Sequence, residues 1–223
     1  MNWQKTPIHI LDFEGNGRSG VVEFGVATVL GGEVVSARTE FCKPHGRIPR
    51  REMELHGITN QAVARARPLK AYWDYFSRLR QEGPFGAHHA SVEESLLKKT
   101  WSHSRMAPDF LHPGQSVAEW GPWVDTKELY AHLFPKVPGH GLGKLVETFG
   151  LLGELEALGR QFCPKPRRKF HAALYDALAS AVLLLHLGTY EELAEGMTLP
   201  WLLAQSFASA AKRQKALQAD LFQ

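Results

Sequence analysis

Cysteine is scarce in this chain: Cys42 and Cys163 are the only two in 223 residues, far apart and without a C-x-x-C spacing. A disulfide framework and a thiolate zinc site are both ruled out, and a reducing cytoplasm is the expected compartment. Long apolar runs are missing as well. The longest, around Ala177–Leu187, contains Ser180 and His186 and falls short of the ~20 residues a membrane helix needs. The start MNWQKTPIHI has no basic stretch leading into an apolar one, so no signal peptide is expected. Strong net charge is absent too. Lys and Arg number 26 against 23 Asp and Glu, giving +3 and a pI near 8.9, which is compatible with nucleic acid without requiring it. No internal repeat and no aromatic RNA-binding signature is present. What remains is globular in character: 44% apolar, 22% charged, six tryptophans. That is enough for one α/β domain, expected over 1–190, with a helical C-terminal extension over 191–223.

Strands come first. Ile8–Phe13 is apolar and runs into a glycine-rich loop, 15–20. Val21–Leu30 and Glu33–Phe41 are valine-rich and joined by Gly31-Gly32, a hairpin signal. Helical spacing takes over afterwards. Thr59 is a plausible N-cap ahead of Asn60–Arg67, and Leu69–Gln81 places Tyr72, Trp73, Phe76 and Leu79 at helical intervals. Phe85–Ala87 and Trp123–Val124 read as short buried strands. Ser91-Val92-Glu93-Glu94 has the form of a capping box, and Asp125-Thr126-Lys127-Glu128 opens another helix. Leu142, Leu145, Val146 and Phe149 form a core-facing stripe, and Leu174 through Leu185 a stronger one stopped by Gly188. The segment 204–217 reads as a terminal helix or a frayed tail. Strands followed by helix–strand alternation predict one mixed sheet covered by helices.

Three acidic segments bear on chemistry. In Asp12-Phe13-Glu14 both carboxylates project from one face of a strand while Phe13 points to the other. Facing carboxylates repel unless cations lie between them, and hard divalent ions suit oxygen ligands; an ordinary strand edge also fits. With Ser91 as N-cap, Glu93 lies in the first turn of its helix, where the macrodipole also favours a negative charge. His171-Ala172-Ala173-Leu174-Tyr175-Asp176 enters the most apolar helix, with Asp176 expected in its second turn, where an unpaired carboxylate is costly. His171 alone also fits a surface histidine. The basic loop Lys165, Arg167, Arg168 and Lys169, and the cluster Arg47, Arg50 and Arg51, could grip phosphates or simply be solvated.

Taken together, these segments resemble the DEDDh family of 3′→5′ exonucleases. Asp12 and Glu14 match its D-x-E motif, 87–93 its A-H-N-A-x-F-D motif, and His171 through Asp176 its H-x-x-x-x-D motif. Leu55-His56-Gly57-Ile58-Thr59 is similar to its H-G-I-T segment and Val124-Asp125-Thr126 to its D-T strand end. The resemblance implies an RNase H-like mixed sheet and two Mg²⁺ or Mn²⁺ ions held by Asp12, Glu14, Glu93 and Asp176. It implies His171 as general base, and Gly15, Asn16, His56 and His89 near a single-stranded DNA or RNA 3′ end. Two departures stand out. Glu93 replaces Asp, reaching roughly 1.5 Å further, and His89 replaces Asn. They motivate a rival reading, an exonuclease fold that binds nucleic acid or a clamp without cutting. Finally, Gln218-Ala219-Asp220-Leu221-Phe222 resembles the short peptides that bind bacterial sliding clamps; a helix end packing Leu221 and Phe222 on its own core is the alternative.

Overall fold

The computed structural model describes residues 3–194 and 196–220. Valine-rich segments and the Gly31-Gly32 turn build three antiparallel strands, β1 (Ile8–Asn16), β2 (Gly20–Leu30) and β3 (Glu33–Phe41). Both turn glycines have positive φ, 66° and 85°, which L side chains avoid and a tight hairpin needs. β1 continues to Asn16, beyond the expected end at Phe13, because Gly15 (φ 122°) carries a register shift that keeps pairing with β2.

A helical stretch follows: α1 (Arg50–His56), α2 (Asn60–Val63) and α3 (Trp73–Glu82). Thr59 caps α2, its hydroxyl accepting the Ala62 N–H at 3.2 Å. β4 (Phe85–Ala87) then adds parallel to β1, and α4 (Ala90–Thr100) leaves its end. A small hairpin, β5 (Ala107–Pro108) with β6 (Ser116–Val117), precedes β7 (Trp123–Asp125), which pairs parallel with β4. The main sheet order is β3-β2-β1-β4-β7. The remaining helices are α5 (Thr126–Leu133), α6 (Leu142–Thr148), α7 (Leu152–Phe162), α8 (Ala173–Leu187), α9 (Glu191–Ala194), α10 (Leu199–Gln205) and α11 (Ala210–Asp220). The expected 204–217 helix is therefore two helices, parted after Gln205. α1, α7 and α10 were not marked by the sequence patterns.

Alternation along β1 divides the core. Ile8 and Ile10 pack in the layer under α8, while Leu11 and Phe13 join Phe24, Phe76, Phe85 and Leu97 on the opposite face. α8 is apolar around nearly its whole circumference because strands, α5, α6 and α7 enclose it. α10 adds Leu199, Leu202 and Leu203 to the same core as α8. Gln218 and Asp220 fall in the last turn of α11, and Leu221 and Phe222 lie outside the described residues. Among the described residues, no helix is long and apolar enough to cross a membrane.

Candidate active site

Asp12 and Glu14 continue the face of Ile8 and Ile10 and so point toward the start of α8. That start comes unusually close to the sheet. Gly25, paired with Asp12 across the β1–β2 ladder, lies against the α8 backbone, and a Cβ there would come within 2.3 Å of the Ala173 carbonyl carbon. Because α8 starts only at Ala173, Asp176 sits in its first turn, not the second, close enough to Asp12 and Glu14 on β1 for the charges to interact. Its Oδ2 accepts the backbone N–H of His171 at 3.0 Å. His171 is exposed and takes a left-handed conformation, φ 62°. Donor atoms of Glu14, His171 and Asp176 all lie within 4.8 Å of one another.

Glu93 approaches from α4, outside that trio but near enough for its charge to act on Asp12. The helix does not begin at Ser91: it starts at Ala90, with His89 at the N-cap in a left-handed conformation and no side-chain cap of its own. Asp125 supplies the missing acceptors, taking the His89 N–H at 3.0 Å and the Ala90 N–H at 2.8 Å. The same carboxylate accepts from Lys127 and Glu128 at the start of α5. Glu94 faces Lys98 at 2.9 Å instead of closing a capping box. Glu93 is left buried, one turn in, beside β1.

Burial and mutual repulsion show in the acidities. Burial pushes Asp12 well above the carboxylate range, with Glu93, Asp176 and Glu14 adding to the effect. Glu14 rises to about 7 through burial and the charges of Asp176 and Glu23, with Arg167 opposing. Glu93 rises to about 8 by burial, and Asp176 to about 7 by burial, eased by the His171 amide. Two of these oxygens, Glu93 Oε2 and Asp176 Oδ1, are buried with no partner among the described residues. Buried polar atoms are normally satisfied. Carboxylates, an imidazole and two free oxygens form a donor set that fits a hard divalent cation.

The other expected residues have varied surroundings. Asn16 Oδ1 accepts the amides of Arg18 and Ser19, and its Nδ2 donates to Glu52. His56 is buried; its Nδ1 accepts the Ile58 N–H at 3.0 Å, and burial lowers its pKa to about 4. His89 is exposed at the mouth of α4. The basic loop splits. Lys165 and Lys169 face solvent, Arg168 donates to the Cys163 and Arg160 carbonyls, and Arg167 turns inward to Glu23. Glu23, directly opposite Glu14 in the ladder, is the acid the motifs did not reveal. Its signal was a lone carboxylate inside the apolar run of β2.

No family model matches the chain. It is 25% identical over 179 residues to the PolC-type DNA polymerase III of Streptococcus pneumoniae, across 78% of this chain and 11% of that protein. The chain thus spans about a tenth of the length of the curated relatives it matches. Among solved structures it is similar to exonuclease X in complex with 5′-overhanging duplex DNA. The TM-score is 0.62 at 22% identity, covering 90% of this chain and 99% of that one. It is also similar to the nuclease domain of 3′hExo, a DEDDh family member bound to rAMP, with TM-score 0.58, 18% identity, and coverage of 84% and 94%. The mixed five-stranded sheet with its flanking helices is the RNase H-like exonuclease fold.

Proposed function

We propose, from a chain with the fold of the DEDDh exonucleases, that it is a divalent-metal-dependent 3′→5′ exonuclease releasing nucleoside 5′-monophosphates, in DNA replication or repair. One observation carries the reading: donor atoms of Glu14, Asp176 and the exposed His171 lie within 4.8 Å of one another, with Asp12 and Glu93 near enough for their charges to act on the same groups. So many buried like charges are costly unless their role requires them. Asp12, Glu14, Glu93 and Asp176 would hold two Mg²⁺ or Mn²⁺ ions. Such ions, when bound, ease the ionisation of water and offset charge on a phosphoryl group.

The chain's own groups do the rest. His171 accepts a proton from the attacking water, a task suited to an imidazole with access to solvent. Asp176 holds the His171 backbone in place through its Oδ2. Gly15, Asn16 and His89 are the residues proposed to line the approach of a single-stranded DNA or RNA 3′ end, whereas His56, expected beside them, is buried and lines no surface; the bound DNA and rAMP of the similar structures support a nucleic-acid substrate. Glu93 keeps a free oxygen in the cluster, which supports an enzyme over a binding module that does not cut. Purified protein is incubated with 5′-labelled single-stranded DNA and RNA, with Mn²⁺, Mg²⁺ or EDTA. Metal-dependent shortening from the 3′ end with release of 5′-monophosphates is expected. Intact oligonucleotides under every condition would refute the proposal.

The C-terminal residues Gln218, Asp220, Leu221 and Phe222 are proposed to anchor a bacterial sliding clamp, with apolar side chains filling a pocket. Titrating clamp against the parent and a Leu221→Ala/Phe222→Ala variant tests this. Equal affinity for both removes the anchor.

A further inference from the structure

We infer that Glu23 and Arg167 are positioning residues, a clamp that fixes the backbone at His171 and so aims its imidazole. The inference rests on the reading of His171 as the proton acceptor. The two residues are 144 positions apart in sequence and form a largely buried ion pair, with side-chain exposures of 3% and 12%.

The geometry ties together four segments around the site. Glu23 accepts from Arg167 Nε at 3.1 Å and from Nη2, and its Oε2 also accepts the backbone N–H of Ala173 at 3.0 Å. Ala173 is the first residue of α8. The guanidinium then extends past Glu23: Nη1 donates to the His56 carbonyl, and Nη2 to the His171 carbonyl at 3.3 Å. One planar group thereby links β2, the end of α1, the 164–172 loop and, through Glu23, the start of α8. A lysine ammonium has neither the planarity nor the span to do the same.

His171 is where such a hold is needed. A non-glycine residue at φ 62° persists only when its surroundings fix it. Both of its backbone groups are held: the N–H by Asp176 Oδ2, the carbonyl by Arg167. Two residues on, Glu23 holds the Ala173 amide. Removing the guanidinium frees the carbonyl, strands a buried carboxylate at Glu23 and lets the 170–172 peptide units relax, which turns the imidazole away. Four of the five N–H groups of Arg167 are taken up in this arrangement, so most of the guanidinium is committed to holding the loop although it sits in a basic segment.

Arg167→Ala tests the inference, since the space it leaves can admit a guanidinium ion. The expected result is a fall in kcat of about 10²-fold, as for a misplacement near 1 Å, with KM changed by less than about threefold. Amide hydrogen exchange across 164–173 should accelerate in the same variant. Millimolar guanidinium chloride, far below denaturing levels, should restore both. Glu23→Gln should lower kcat likewise, without guanidinium rescue. A raised KM at unchanged kcat would assign Arg167 to substrate binding and overturn the clamp. So would unchanged exchange across the loop. If Arg167→Ala does not fold, Arg167→Lys carries the same readouts. If the parent cuts no oligonucleotide, the nuclease reading fails, while the exchange data still decide whether Arg167 holds the His171 backbone.

Discussion

Four carboxylates sharing a buried space raise one another's affinity for protons, and that tension belongs to single residues. Asp12 carries the largest number of like-charged neighbours. Asp12→Asn removes a charge while keeping the shape. In EDTA at pH 8 the variant should be more stable than the parent by about 1 kcal/mol, roughly 2–4 °C in Tm. Hydrolysis with Mn²⁺ should fall at least about 100-fold. Thermal melts beside oligonucleotide assays check both, and a variant that is less stable without metal would mean that Asp12 is ordinary structure. His171→Ala should cost about 10²–10⁴ in kcat with the acidic cluster intact. The pairing of Asp12 with Glu14 was legible because a strand has period two. Glu23 was not, since a lone acid in a valine-rich strand does not name its partner 144 positions away.

At the scale of elements, one carboxylate caps two helices. Asp125 accepts from His89 and Ala90 at the start of α4 and from Lys127 and Glu128 at the start of α5. The α5 cap was readable from Asp125-Thr126-Lys127-Glu128, because its partners are two and three residues on. The α4 cap was not, because its acceptor lies 35 residues downstream, so the sequence pointed to Ser91. Asp125→Ala should cost about 2–4 kcal/mol, two ordinary caps, read as a shift in denaturant midpoint. It should also weaken metal binding, since α4 carries Glu93. Gly25 shows a similar limit. A glycine within a strand signals close approach without naming what approaches, here the backbone of Ala173 and Leu174. Gly25→Ala should destabilise by about 1–3 kcal/mol or more, whereas Gly31→Asn, at φ 66° with nothing within 4 Å, should change stability by less than about 0.5 kcal/mol.

The whole molecule responds to pH through two sets of buried groups with opposite signs. His9 and His88 are held near 4 by burial, well below the imidazole range. The unfolded chain binds those protons more readily, so their contribution to stability is present above about pH 6.5 and is lost as pH falls toward 4. The acidic cluster runs the other way. Glu14 and Asp176 are raised to about 7 and Glu93 to about 8, so the folded state binds protons that the unfolded state has released. Their contribution is full below about pH 4 and is lost as pH climbs through about 7 to 8. The raised carboxylates outnumber the two histidines, so metal-free protein should lose stability as pH rises from about 5 to 8.5, with the histidines offsetting part of the decline below about pH 6.5. Divalent ions act on the alkaline side alone. They displace protons from the carboxylates, so their stabilisation, which follows ligand concentration relative to Kd, should grow between pH 6 and 8.5. Melting curves in EDTA and in 10-fold steps of MnCl₂ at both pH values measure it. The expected result is a small Mn²⁺ increment at pH 6 and a larger one at pH 8.5 that flattens the alkaline decline. In Asp12→Asn the pH 8.5 increment should shrink. An increment equal at the two pH values, or unchanged by Asp12→Asn, would place the bound ion elsewhere than among Asp12, Glu14, Glu93 and Asp176.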